Sequence, residues 1–361
     1  MRPSWAEIDL TAVAHNVAAF RNHLGPTELC AVVKADGYGH GDVPVAEVAV
    51  AHGASWLAVA LLEEGIRLRE ADITVPILVL SEPSVSDVGV LADWDLTPTV
   101  YRHVFLEALT EHRDRIRPIH LKLDTGMHRV GADLRTVTAL AHQARALGLG
   151  IGGLWTHFAS SESDPEFTRL QLALLDHAVE HLRDVLGSDV IVHHSNTGGA
   201  ILVGGGGMAR VGLGLYGLYP SDECRGPIDL RPVMRVVSRV SHVRRHPVGA
   251  RPSYGRRRAL EVDSNVASVP IGYADGVPRL LSDRGEVLIG GKRRPLAGTV
   301  TMDQLVVDCG DDRVEVGDEV VLIGRQGDAE IAADEWAELT GTISYEIVCG
   351  IGPRLPRRFV E

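Results

Sequence analysis

The residues best placed to do chemistry follow the first strongly apolar run of the chain. Leu29–Val33 reads as a buried strand, and Lys34 follows it directly. Gly37, Gly39 and Gly41 then alternate with Tyr38 and His40, which reads as a turn. At the C-terminal end of a strand in a βα-barrel, a side chain points into the active-site mouth. A lysine at the edge of an apolar wall loses its proton more easily than one in water, and a Schiff-base lysine needs that. The same lysine also fits a solvated strand end, so the choice rests on what the remaining chain supplies.

The elements that would position Lys34 are legible as an alternation. Apolar runs at Leu29–Val33, Trp56–Ala60, Ile77–Leu80, Leu96–Val100, Ile119–Leu123, Ile151–His157, Val190–His194 and Arg210–Leu215 read as strands. Amphipathic stretches lie between them, clearest at Val43–Ala51, Leu61–Glu70, Val137–Leu147 and Phe167–Leu186. This is the pattern of an α/β fold, a (β/α)8 TIM barrel, with a doubly wound sheet as the alternative. Upstream, Trp5–Asp9 reads as a strand and Leu10–Leu24 as a helix. Beyond Arg225-Gly226-Pro227 the texture changes to short β runs: Val233–Val243, Ala267–Ile271, Glu286–Ile289, Gln304–Val307 and Glu319–Ile323, with a helix near Ala332–Leu339. The expectation is a barrel over 9–226 and a mostly antiparallel β domain over 227–361 that takes in 1–8.

Composition narrows the function. A formal net charge of −12 over 361 residues argues against nucleic acid or an anionic membrane as the main partner. No apolar run is long enough to span a bilayer, and the N-terminus lacks a signal core, so a cytoplasmic location is expected. Cys30, Cys224, Cys309 and Cys349 form neither a CxxC pair nor a metal cluster, and no metal is expected.

Several blocks together resemble the bacterial alanine racemases, pyridoxal-phosphate enzymes built on a (β/α)8 barrel followed by a β domain. They are AVVKADGYGHG (31–41), HLKLDTGMHRVG (120–131), LWTHFASSE (154–162), HHSN (193–196), LGLYG (213–217), SYG (253–255), PIGYADG (270–276), TMDQ (301–304) and ISYEIVCGIGPRLPR (343–357). The resemblance implies that Lys34 carries pyridoxal 5'-phosphate. It places Tyr38, Ser195, Tyr345 and the backbone at Gly212 and Leu213 on the phosphate. It makes Arg210 the partner of the pyridine nitrogen and His157 the partner of Arg210. A guanidinium keeps its own proton, so it would leave that nitrogen unprotonated and temper the ring's electron demand. Arg129, Tyr273, Met302 and Asp303 fall on the substrate side, Asp303 as an orienting group. Lys122 matches a lysine that is carbamylated in many members; it also fits a solvated strand lysine.

Racemisation needs a proton carrier on each face of Cα. The resemblance implies Lys34 on one face and Tyr254, from the second subunit of a head-to-tail homodimer, on the other. The expected activity is interconversion of L- and D-alanine, serving D-alanine biosynthesis. The alternatives are a racemase of serine or another amino acid, a barrel-type decarboxylase, or a non-enzymatic cofactor carrier. Arg210 and Thr301 argue against the decarboxylase, and the second domain argues against the carrier. Departures from the usual family pattern fall at Val211, Leu213, Thr301 and Asn196–Gly199, and in the Gly204–Gly207 loop, which has no side chains of its own to fix it.

Overall fold

The computed structural model describes residues 2–361. It divides into two compact units. One comprises Ala12–Gly37 and Gly41–Arg231; the other gathers the N-terminal residues through Thr11, Tyr38–His40 and Pro232–Glu361.

The chain opens on β1 (Trp5–Asp9). The first unit is then a closed parallel barrel of β2 (Glu28–Val32), β3 (Trp56–Val59), β4 (Ile77–Val79), β5 (Thr97–Val100), β6 (Ile119–Lys122), β7 (Ile151–Trp155), β8 (Ile191–His193) and β9 (Met208–Val211). Closure pairs Cys30 with Arg210 and Ala31 with Val211. The outer helices form where apolar residues recur at helical spacing. Leu134–Ala146 buries Val137, Leu140, Ala141 and Ala144, and the Asp133 carboxylate caps it by accepting from the Thr136 amide at 2.7 Å. Pro165–His181 starts with proline in its first turn, and the Asp164 carboxylate accepts from the Phe167 amide at 2.9 Å. Each fully buried leucine of this kind contributes roughly 1.5–3 kcal/mol.

Seven of the eight barrel strands are shorter than their apolar runs, and β7 and β9 show why. The run Ile151–His157 leaves the sheet after Trp155, because the Thr156 carbonyl accepts from Arg210 at 3.0 Å and leaves the ladder. The run expected from Arg210 to Leu215 is a strand only over Met208–Val211; Leu213–Tyr216 is a 3-10 turn. A Cβ on Gly214 would sit 2.5 Å from the Phe20 ring, so only glycine allows this turn to pack.

The second unit holds two sheets, formed by β1 with β10 (Met234–Arg239), β11 (His242–His246), β12 (Ser264–Val269), β13 (Glu286–Ile289), β14 (Lys292–Pro295), β15 (Leu305–Asp308), β16 (Glu319–Gln326), β17 (Ala329–Ile331) and β18 (Arg357–Val360). The larger sheet runs β14-β13-β16-β10-β1-β18 with β17 beside β16; the smaller runs β11-β12-β15. β1 lies antiparallel to β10 and parallel to β18. The single run Val233–Val243 is thus two strands in different sheets. The chain changes sheet at Val240-Ser241, whose amides bond to Asp318 and Ser268. Helices span Ala333–Thr340 and Ser344–Gly350. Among the described residues no helix is long and apolar enough to cross a membrane.

Candidate active site

Lys34 does not simply end a strand. It opens a helical turn, Lys34–Gly39, whose following residues all have positive φ: Ala35 53°, Asp36 54°, Gly37 58°, Tyr38 53° and Gly39 79°. The turn is left-handed, which costs about 1–2 kcal/mol for each non-glycine residue. Local bonds offset this. The Gly37 amide donates to the Val33 carbonyl at 2.9 Å, and the Gly41 amide to the Asp36 carbonyl at 2.8 Å. The buried Glu64 carboxylate accepts from the Ala35 amide at 2.6 Å, Ala60 at 2.8 Å and Leu61 at 3.0 Å, tying the ends of β2 and β3 together. Lys34 itself is half-buried beside this strained segment.

Arg210 is buried on β9 and held on several sides. Its Nη1–H donates to His193 Nδ1 at 2.8 Å. Its Nη2 donates to His157 Nδ1 at 3.1 Å and to the carbonyls of Thr156 at 3.0 Å and His194 at 3.1 Å. A guanidinium can only donate, so both histidines present a bare Nδ1 and are neutral. Burial and the Arg210 charge agree, pushing His157 and His193 well below the ordinary histidine value. His193 Nε2–H is then the donor to His120 Nδ1 at 2.9 Å. Burial also lowers Arg210, to about 10, which leaves it charged at neutral pH. Among the described residues its Nε–H and second Nη1–H make no hydrogen bond.

Lys122 ends β6, buried, with Nζ 4.0 Å from the centre of the Trp155 ring; the Arg210 guanidinium lies 4.5 Å from the same ring. Burial first, then the charges of Arg210, Arg129 and Lys34, lower Lys122 to about 7. Arg129 is exposed on the loop after β6, which the Asp124 carboxylate shapes by accepting from the amides of Gly126 and His128 at 3.0 Å each.

The loops after β8 and β9 meet at a hydroxyl, and it is Thr197, not Ser195. Thr197 Oγ1 accepts from the amides of Gly212 at 3.2 Å and Gly214 at 3.3 Å. Ser195 Oγ donates to the Gly204 carbonyl and accepts from His194 Nδ1 at 2.8 Å, so it braces the neighbouring loop. That glycine loop is fixed from outside: Thr27 Oγ1 donates to the Gly206 carbonyl at 3.0 Å, and a Cβ on Gly205 would lie 2.2 Å from the Thr27 methyl.

In the second unit Tyr38 is buried, its ring 6.0 Å from that of Tyr345, and burial raises its pKa, so it is a phenol. Arg357 Nε donates to the Gly39 carbonyl at 2.9 Å. The blocks carrying Tyr273 and Met302 are joined by amides: Tyr273 donates to the Thr301 carbonyl at 3.0 Å and Ala274 to that of Met302 at 3.1 Å. Asp303 is held by Arg354 Nη2 at 2.7 Å, and Arg354 also reaches the buried Asp275, which Arg2 grips through both Nη atoms. Tyr254 is 74% exposed, between Ser253 and Gly255 at φ 67° and 73°.

Sequence reasoning missed Thr197, Glu64, His193, His120 and Trp155 as parts of these sites. For Glu64 a signal existed, an acid three residues after Leu61 at a helix start. His193 is in the HHSN block, but its bond to Arg210 depends on strand register. Trp155 gave no signal, since an apolar strand residue is ordinary core.

The comparisons with known proteins agree over the full length. The alanine racemase N-terminal domain family matches residues 8–220 and the C-terminal domain family residues 233–359. An alanine racemase of Halothermothrix orenii is 42% identical over 99% of this chain and 97% of its own length. One of Synechocystis is 43% identical over 98% of each. The crystal structure of the Bacillus anthracis alanine racemase with bound L-Ala-P superposes with a TM-score of 0.92 at 35% identity, covering 100% of this chain and 96% of that one. The Streptomyces lavendulae alanine racemase superposes with a TM-score of 0.93 at 35% identity, covering 100% and 98%. The two domains thus recur together, and the chain belongs to the alanine racemase family of isomerases.

Proposed function

We propose that this chain interconverts L- and D-alanine with pyridoxal 5'-phosphate, as a cytoplasmic head-to-tail homodimer in which each site borrows Tyr254 from the other copy. The observation that carries this reading is Arg210, charged, backed by neutral histidines and with N–H groups left over for an acceptor such as an unprotonated ring nitrogen. For the phosphate the chain would use the Thr197 hydroxyl and the Leu213 amide, with the Gly212 amide holding Thr197 in place, and Tyr38 and Tyr345 as the resemblance implies; Lys34 would take the aldehyde carbon. Thr197 takes the part expected of Ser195.

When bound, the cofactor supplies a conjugated ring that withdraws electrons from the substrate's Cα–H bond. The chain supplies placement and protons. Lys34 takes or returns the Cα proton on one face, and Tyr254 of the second copy does so on the other. Arg210 withholds a proton from the ring nitrogen, and His157 and His193 keep it in place. Arg129 and the Met302 amide hold the substrate carboxylate, Asp303 orients its neighbours, and Tyr273 lines the approach. L-Ala-P bound to the Bacillus anthracis relative supports alanine as the substrate.

Lys122 is proposed to carry a carbamate. A neutral amine attacks dissolved carbon dioxide, an N–C bond forms, a C–O π pair moves to oxygen, and one amine proton leaves to solvent. Near its value of about 7 much of the amine is neutral, and the surrounding cations favour the anion formed.

Deuterium exchange at Cα with both enantiomers of alanine and of serine tests the reading. Alanine enantiomers should exchange and interconvert, with serine slower. Faster exchange of serine, or carbon dioxide release without interconversion, overturns it.

A further inference from the structure

Arg210 is held by more than the groups that touch it. Its partner His193 is itself enclosed. The Trp155 ring stacks on His193 with centres 5.4 Å apart and planes 9° from parallel, and the His120 ring meets it edge-on at 5.1 Å. Both histidines are buried. The bond between them fixes a proton. Because the Arg210 guanidinium can only donate, His193 Nδ1 is bare, and the one proton of the neutral ring sits on Nε2. The acceptor for that proton is His120 Nδ1, 2.9 Å away. The other tautomer of His193 would set its N–H against that of Arg210.

The seat of His120 is built for this bond. Gly153 pairs with it across β6 and β7, and a Cβ there would lie 2.4 Å from His120 Nδ1 and 2.7 Å from the two ring carbons beside it. The Trp56 ring packs against His120 with centres 5.3 Å apart. A side chain at 153 would push the imidazole off its bond, so the strand gives one up to let the ring approach. We propose that His120 is a positioning residue for the reaction: it accepts the Nε2 proton of His193, fixes the tautomer of that ring, and so holds Arg210 with its remaining N–H groups free for the cofactor's ring nitrogen. The inference rests on the reading of Arg210 above and extends it to a residue that touches neither Arg210 nor the cofactor.

The test uses full-length, cofactor-loaded enzyme with 15N-labelled histidine. In wild type a through-bond nitrogen–nitrogen coupling should link His193 Nε2 to His120 Nδ1, with the proton on His193; its loss from His120→Asn assigns it. His120→Leu removes the acceptor, and kcat for alanine should fall about tenfold with KM nearly unchanged, the kinetic scale of one hydrogen bond. His120→Asn sets an amide oxygen close to where Nδ1 stood and should recover most of that loss. Gly153→Ala keeps every atom of His120 but displaces its ring, and should remove the coupling and lower kcat as His120→Leu does. Absence of the coupling in wild type, a measurement that needs no variant, overturns the proposal. So do equal kcat values in His120→Leu and His120→Asn, or full kcat in a Gly153→Ala chain that has lost the coupling. Failure of the reading beneath looks different: Arg210→Lys would then keep its kcat while the wild-type coupling persists.

Discussion

Two short segments of this chain hold non-glycine residues at positive φ beside a proposed proton carrier, and they are built differently. After Lys34, Ala35, Asp36 and Tyr38 form a left-handed turn clamped by the Glu64 carboxylate and by two backbone bonds. Around Tyr254, Ser253 and Arg256 have φ 67° and 49°. There the bracing is lighter: Ser253 Oγ donates to the Thr299 carbonyl at 2.6 Å and Thr299 Oγ1 to the Tyr254 carbonyl at 2.7 Å. Lys34 is half-buried in its own barrel, whereas Tyr254 is 74% exposed. Strain is stored at both places, but only one side chain has walls in its own unit. The difference suits a site in which one carrier is set by folding and the other by association.

The comparison breaks most visibly at the carriers. Lys34→Ala should lower racemisation by at least about 10⁴-fold and abolish borohydride trapping of the cofactor on that peptide. A retained adduct would place the anchor elsewhere. Tyr254→Phe should cut Cα exchange about 10²–10³-fold for one enantiomer and less than about tenfold for the other. Equal losses would remove Tyr254 from a single face. Mixing Lys34→Ala with Tyr254→Phe chains sharpens the point, since a mixed dimer with one intact site should recover part of the activity.

The bracing comes next. Glu64→Gln removes a charge that serves amides at Ala35, Ala60 and Leu61, and should cost about 1–3 kcal/mol in urea unfolding. Cofactor retention should fall with it, because the turn after Lys34 loses its clamp. An unchanged midpoint would mean the left-handed turn is held by glycine freedom alone.

These residues also mark what could be read before folding. The barrel was legible because each strand is an apolar run bounded by turn residues, and the helices because apolar spacing repeats. The left-handed turn was legible only as a cluster of glycines, since Ala35 carries no signal for positive φ and a lone Asp36 only a weak one. Ser195 and Thr197 could not be ranked, because two hydroxyls two residues apart differ only in where the strand ends. β14, β17 and β18 were missed: KRRP, AEI and RRFV have weak alternation, and their pairing is supplied by neighbours.

Charge gives a further contrast, since the barrel mouth crowds cations around Lys122. Its folded value of about 7 lies below the unfolded value of about 10.4. Below about pH 7 both states hold the proton and the folded state bears the full cost. Between the two values the unfolded chain binds more protons, so stability rises with pH. In carbon-dioxide-free buffer the urea midpoint of wild type should climb between about pH 7 and pH 10 more than that of Lys122→Met. Parallel curves would mean that Lys122 is not desolvated.

The smallest effect tests the lighter brace. Thr299→Val keeps the shape of the side chain and removes the hydroxyl that donates to the Tyr254 carbonyl. The bond is partly buried, so stability should drop by only about 0.5–1.5 kcal/mol. Its kinetic mark should be selective: the enantiomer most impaired by Tyr254→Phe should lose severalfold in Cα exchange, and the other should be nearly unchanged. A structural defect would slow both alike. If the loss is symmetric, the strained loop only shapes the surface, and the placement of Tyr254 must come entirely from the surface it meets in the second copy.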